Sequence, residues 1–145
     1  MNLAEPIPHR ATCVAIDGQA LLIEGEPGTG KSSLALALMD RGAELIGDDG
    51  VLLEAAGDGL IARPHPQTRG LMEIRGLGLL PFPARNAAQV ALVLQLDEDA
   101  PRFIEAPEQV QRAGRVLPLI RLWPHSPVLA LRAEYALAAF GLIGD

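Results

Sequence analysis

Eight consecutive residues, Gly25-Glu26-Pro27-Gly28-Thr29-Gly30-Lys31-Ser32, offer the most specific chemistry in this chain. They follow the spacing G-x-x-x-x-G-K-[ST] of a P-loop, in which backbone N–H groups point inward and form a cradle for phosphate. In that pattern Lys31 reaches the β and γ phosphates and the Ser32 hydroxyl holds Mg²⁺. Gly25, Gly28 and Gly30 let the backbone turn sharply and come close to a phosphate. Pro27 has no N–H to offer, Glu26 and Thr29 complete the loop, and Ser33 follows it. The competing reading is a glycine-rich turn before a helix. The context speaks against it, because Ala20 to Glu24 reads as a buried strand and Leu34 to Met39 as a helix. The helix N-terminus then adds a partial positive charge to the cradle.

Phosphoryl transfer also needs carboxylates, one near the metal and one to accept the proton of an acceptor hydroxyl. Leu45-Ile46-Gly47-Asp48-Asp49 is an apolar run ending in two acids that could divide this work; the alternative is a solvated turn built on Asp49-Gly50. Asp97, after Leu94-Gln95-Leu96, opens a run of three acids and reads as a wet loop. Glu73 and Arg75 stand two apart and, if extended, share one strand face, where they could serve Mg²⁺ and phosphate. A surface ion pair is the plainer reading of the two. His9 is a candidate base or phosphate contact, against the plainer reading of an exposed or packed histidine.

The elements that must position these groups are mostly strands. Ala11 to Ile16 and the strand feeding the P-loop form arms around Asp17-Gly18, a hairpin turn signal. The helix from about Lys31 to Arg41 is capped by Gly42. A second hairpin is expected around Gly57-Asp58-Gly59, with loops over Arg63 to Gly70 and Pro81 to Asn86. Gln89 to Leu96 is the clearest buried strand. Val110 to Leu117 reads as a strand pair around Gly114, followed by Leu119 to Leu122. Ser126 as N-cap and Pro127 as first helical residue open a last helix to about Phe140, with Val128, Leu131 and Tyr135 near helical spacing. Two helices among many strands do not fit a regular doubly wound sheet. They predict an α/β P-loop nucleotide-binding domain on a mixed, strand-rich sheet.

Composition bounds the rest. A chain of 145 residues suits one domain, and no linker or internal boundary is visible. It is 49% hydrophobic but 3% aromatic, so its core is aliphatic. A net charge of −6 argues against a nucleic-acid surface. Cys13 is the only cysteine, so no internal disulfide or cysteine metal cluster is expected. Met1 to Arg10 has two prolines and no apolar core, unlike a signal peptide, and no apolar run is long enough to span a bilayer. These features predict a cytoplasmic protein without membrane or nucleic-acid partners.

The P-loop, then Leu45-Ile46-Gly47-Asp48-Asp49, then Leu71-Met72-Glu73-Ile74-Arg75-Gly76-Leu77-Gly78, in that order and spacing, resemble the C-terminal catalytic domain of bacterial HPr kinase/phosphorylase. The pattern Glu-Ile-Arg-Gly-Leu-Gly makes the match specific, and it covers residues 9–80. His9 falls near, slightly offset from, the histidine that the family carries before its P-loop strand.

The resemblance implies a fold like that of phosphoenolpyruvate carboxykinase. It implies an ATP- and Mg²⁺-dependent kinase that phosphorylates a serine of HPr, or an HPr-like phosphocarrier, in phosphotransferase-system regulation of carbohydrate metabolism. By matched position Lys31 binds phosphate, Ser32 binds Mg²⁺, Asp48 is the base and Asp49 its partner at the metal. Glu73 helps hold the metal and Arg75 supports the site. The chain begins almost at the catalytic domain and stops after one helix, and Leu79 to Asn86 lacks the usual continuation of the signature. A short form of the family is therefore expected, with phosphorylase activity, family-type regulation and the homo-oligomer left open. The alternative is a non-catalytic ATP-binding sensor or regulatory module.

Overall fold

The structure is a computed structural model and describes residues 5–143. The segment read as unlike a signal peptide therefore lies partly outside the described residues. Strand β1 (Ile7–His9) leads into β2 (Thr12–Ile16) and β3 (Gln19–Gly25). The β2–β3 turn has Asp17 at φ +50° and Gly18 at φ +81°, the doubly left-handed pair that matches the twist of a tight hairpin. Helix α1 (Lys31–Asp40) follows the P-loop. It ends as expected at Gly42, whose N–H donates to Met39 O while that of Ala43 donates to Leu38 O, a Schellman closure.

Strand β4 (Glu44–Gly47) is followed by the hairpin β5 (Val51–Ala56) and β6 (Gly59–Pro64), then by a small separate hairpin of β7 (Leu71–Ile74) and β8 (Gly78–Pro81). The long strand β9 (Ala88–Leu96) precedes β10 (Glu108–Arg112), β11 (Arg115–Leu122) and helix α2 (Leu129–Phe140). The main sheet runs β1-β5-β6-β9-β3-β2-β4. On its other edge β9 meets β6 at Ala88 and Gln89 and β11 from Val93 to Leu96. Only the β3–β9 and β9–β11 pairs are parallel, so the sheet is mixed and strand-rich as its turn-dense sequence implied.

Both faces of the central strands are buried. Leu21, Ile23, Leu92 and Leu94 pack on one face with Leu34, Leu38 and Leu137 of the two helices. On the other face Cys13, Leu22 and Val93 meet Val51, Leu53, Leu60 and Ala62, so the sheet curls back over itself. Burial pushes the Cys13 thiol well above its ordinary pKa, which leaves it an inert core residue. A register shift between Ala20 and Leu21 lets both Ala91 and Leu92 face the helices.

Three local expectations change. The chain from Arg115 to Leu122 is one strand through Pro118, because the ladder to β9 begins only at Leu119 and asks nothing of the missing N–H. The last helix starts at Leu129 with Val128 as its cap residue; Ser126 instead accepts the Val128 N–H at Oγ, 3.1 Å away. Its buried face is Ala133, Ala136 and Leu137, while Leu131 and Tyr135 face outward. The two alanines let α2 approach the sheet and α1 closely, while Leu137 fills the helix-side core.

Candidate active site

The P-loop is set by what lies beneath it. A Cβ on Gly25 would come within 2.8 Å of Thr29 Oγ1 and 3.0 Å of Leu96 O, so only glycine fits where β3 ends. Thr29 closes the turn by donating from both its N–H and its hydroxyl to Glu26 O. Gly28 and Gly30 have φ of +83° and +97°, the left-handed conformation that glycine adopts without penalty. Gly30 is the cap residue of α1 and no acidic side chain occupies the first turn, so the helix N-terminus is open to an anion. The Lys31 ammonium folds back onto the loop, donating to Gly25 O at 2.9 Å and Glu26 O at 3.2 Å.

Beside the loop lies a cleft of about 520 Å³. Its walls bring together Pro27, Gly28, Gly30, Lys31, Ser32 and Ser33 with Asp48, Asp49, Glu73 and Arg75. Gly25, Glu26 and Thr29 shape the loop without lining the cleft. β4 delivers the acids: its last residue, Gly47, turns so tightly that a Cβ would collide with Gly50 O and come within 2.7 Å of Val51 Cγ1. Asp49 then adopts φ +58°, a conformation that Asp tolerates better than most residues.

The two acids have different surroundings. Asp48 Oδ1 accepts the Ser32 hydroxyl at 2.6 Å and the Thr12 hydroxyl at 3.1 Å. Its Oδ2 accepts the Glu73 N–H at 3.3 Å, which ties β7 to the loop. Asp49 is mostly exposed; its N–H donates to Thr12 Oγ1 at 3.3 Å and its carboxylate lies 3.7 Å from Arg10 Nη2. Thr12 and Arg10 also line the cleft and were missed from the sequence. Thr12 is the buried polar residue of the described core, and a threonine opposite Ile23 in an otherwise apolar strand was its available signal. Arg10 had none.

Glu73 and Arg75 do not share a strand face, because β7 ends at Ile74 and Arg75 belongs to the turn. The turn brings both into the cleft all the same. Met72 anchors that hairpin in the helix-side core, while Leu77 and Leu79 stand exposed beyond it.

His9 is not among the cleft-lining residues. Its Nε2 lies 2.7 Å from Glu24 Oε2, and Arg112 grips both oxygens of the same carboxylate at 3.0 and 2.7 Å. Burial by itself would raise the Glu24 pKa, but the hydrogen bonds and charges of His9 and Arg112 outweigh it and hold the carboxyl at about 2. Glu24 directly precedes the P-loop, so this cluster braces the strand that carries it.

Fold and cleft together define a P-loop α/β domain on a mixed sheet, with hydroxyl and carboxylate oxygens beside the phosphate cradle. The family model described as HPr Serine kinase C-terminal domain matches residues 1–101. The chain therefore belongs to that family. HPr kinase/phosphorylase of Mycoplasma mycoides subsp. mycoides SC is 35% identical over 101 residues, which are 70% of this chain and 32% of the relative. The protein of the same name from Streptococcus thermophilus is 33% identical over 134 residues, or 83% of this chain and 43% of the relative. This chain thus spans well under half the length of these relatives. The solved Hpr(Ser) kinase/phosphatase from Coxiella burnetii superposes with a TM-score of 0.81 at 29% identity, covering 91% of this chain and 94% of that one. The fold is accordingly the phosphoenolpyruvate carboxykinase-like form of the P-loop kinases.

Proposed function

We propose that this domain is an ATP- and Mg²⁺-dependent kinase that transfers the γ-phosphoryl group to a serine of HPr or an HPr-like phosphocarrier, in the cytoplasm. The observation that carries the reading is the 2.6 Å bond from Ser32 Oγ to Asp48 inside the P-loop cleft. It pairs the motif's metal-binding hydroxyl with a carboxylate, a hard oxygen set of the kind Mg²⁺ takes. Among the described residues no group of three or more His, Cys, Asp and Glu side chains forms a metal cage. Mg²⁺ commonly completes its shell with substrate phosphates and water, so two protein ligands suffice. When bound, the ion neutralises charge on the phosphates.

This geometry favours a division of labour opposite to the one implied by the resemblance. Asp48, bonded to Ser32, is the metal-side carboxylate in our reading. Asp49, exposed at the mouth of the cleft, is the base that accepts the proton of the serine hydroxyl at its carboxylate. Lys31 exchanges its loop carbonyls for phosphate oxygens, an exchange that costs little because both partners of the ammonium are neutral. Arg75 and Arg10 line the cleft as further cations for an anionic substrate, and Glu73 lies on the metal side.

The test is incubation of the protein with ATP, Mg²⁺ and purified HPr, read by mass spectrometry. A gain of one phosphate on an HPr serine is expected. Tight ATP binding without transfer to HPr would overturn the kinase reading and leave a nucleotide-binding sensor.

A further inference from the structure

Arg10 lines the P-loop cleft from the short connection between β1 and β2. Its neighbours in the chain are tied down. His9 pairs with Val51 of β5 in the sheet, and its ring bonds to Glu24. Ala11 is buried in the core on the sheet face away from the helices. Thr12 is buried and donates to Asp48 Oδ1 at 3.1 Å. Arg10 and Thr12 both line the cleft, while Ala11 between them packs into that core. The backbone at residue 10 is therefore held from both flanks, and its side chain is presented to the cleft.

The guanidinium has no firm partner. It is 85% exposed, and its ion pair is the 3.7 Å approach of Nη2 to Asp49 Oδ1, on a carboxylate that is itself 66% exposed. A contact of that kind contributes little to folding. By contrast Arg41, Arg63, Arg85, Arg112 and Arg121 each grip a carboxylate at 3.0 Å or closer. A rigidly based arginine with a loose head, at the mouth of an anion cleft, is free to change partners.

Its place beside Asp49 gives it a use. A general base stands about 3 Å from the hydroxyl whose proton it takes, and that hydroxyl attacks from about 3 to 3.5 Å. With Asp49 as the base, a long side chain 3.7 Å from that carboxylate is within reach of the phosphoryl group being transferred. We propose that Arg10 exchanges Asp49 for the γ-phosphoryl oxygens of a bound nucleoside triphosphate, and donates to them from the β1–β2 connection as a catalytic residue of the transfer. This deepens the kinase reading given above and rests on it. Lys31 serves the same phosphates from the loop, so charge is met from two elements of the fold. The forked N–H groups of a guanidinium match two phosphate oxygens at once, as an ammonium cannot. In the transfer the serine oxygen bonds to phosphorus and the bond to the β–γ bridging oxygen breaks, its electron pair leaving with ADP. Asp49 takes the serine proton, and Arg10 forms no covalent bond and keeps its charge.

The test compares two nucleotides that differ by the γ-phosphoryl group. ADP and the non-hydrolysable analogue of ATP with an imido bridge between the β and γ phosphorus atoms are titrated with Mg²⁺ by calorimetry. Arg10→Ala weakens the analogue about tenfold and leaves ADP within twofold, and it lowers the turnover number for transfer to HPr by about 10²- to 10³-fold. Arg10→Lys keeps the charge without the fork and falls between Arg10→Ala and the unmodified protein in both measurements. Analogue affinity within twofold in Arg10→Ala, or an equal weakening of analogue and ADP, overturns the γ-phosphoryl contact and leaves the kinase reading standing. Unmodified protein that binds neither nucleotide overturns the nucleotide reading and this role together. Should Arg10→Ala fail to fold, Arg10→Lys decides by the same comparison: an analogue affinity as tight as that of the unmodified protein, with turnover unchanged, overturns the forked contact.

Discussion

Two carboxylates flank the P-loop, and they are held in opposite ways. Glu24, one residue before the loop, is clamped by the guanidinium of Arg112 and the imidazole of His9. Asp48, at the end of β4, is held by two hydroxyls and an amide N–H. Partners of the first kind neutralise the carboxylate and leave it nothing further to bind. Partners of the second kind orient it and leave its charge available to a cation. The same residue chemistry therefore makes a brace on one side of the loop and a cleft wall with uncompensated charge on the other. The difference lies in whether the neighbours carry charge.

The contrast is broken most severely at the cleft wall. Asp49→Asn is expected to lower phosphoryl transfer to HPr by about 10²- to 10⁴-fold while ATP affinity stays within a few-fold, the signature of a lost base. Steady-state kinetics beside calorimetry checks it. A loss of ATP binding of the same size would remove Asp49 from that role. The next effect falls on the brace. Glu24→Gln leaves Arg112 with no carboxylate partner and should destabilise the fold by about 2 kcal/mol, seen as a lower Tm.

Acid sharpens the same point. The folded Glu24 carboxyl, at about 2, lies below its ordinary value of 4.5. Its contribution is complete above the ordinary value and drains away as pH falls from about 5 towards 2. Denaturant titrations across that window should show a stability slope that is shallower in Glu24→Gln. The smallest effect tests the neutral partners. Thr12→Val keeps the shape of β2 but removes the hydroxyl shared by Asp48 and the Asp49 N–H. About 1 kcal/mol of stability and up to about tenfold in transfer rate are expected, against little change in ATP affinity.

Much of this was legible along the chain because it depends on local rules. The glycines at 25, 28 and 30, the lysine and serine after them and the helix that follows are neighbours whose spacing states their joint geometry. The Asp17-Gly18 hairpin and the Gly42 helix end are likewise matters of φ at one or two residues. The face of α2 was not legible, since alanines and leucines at similar spacing compete and only the partner surface chooses.

The sequence alone settled that a loop of P-loop spacing lies between a strand and a helix, with acids and the Glu73–Arg75 signature following in order. The tertiary structure decided which acid meets the Ser32 hydroxyl. It turned His9 away from the cleft to Glu24, and it brought Arg112 across 88 positions of chain to complete the brace. The physical reason is that a hydrogen bond or ion pair depends on distances of about 3 Å, and sheet order, not chain order, sets distances between residues far apart in sequence.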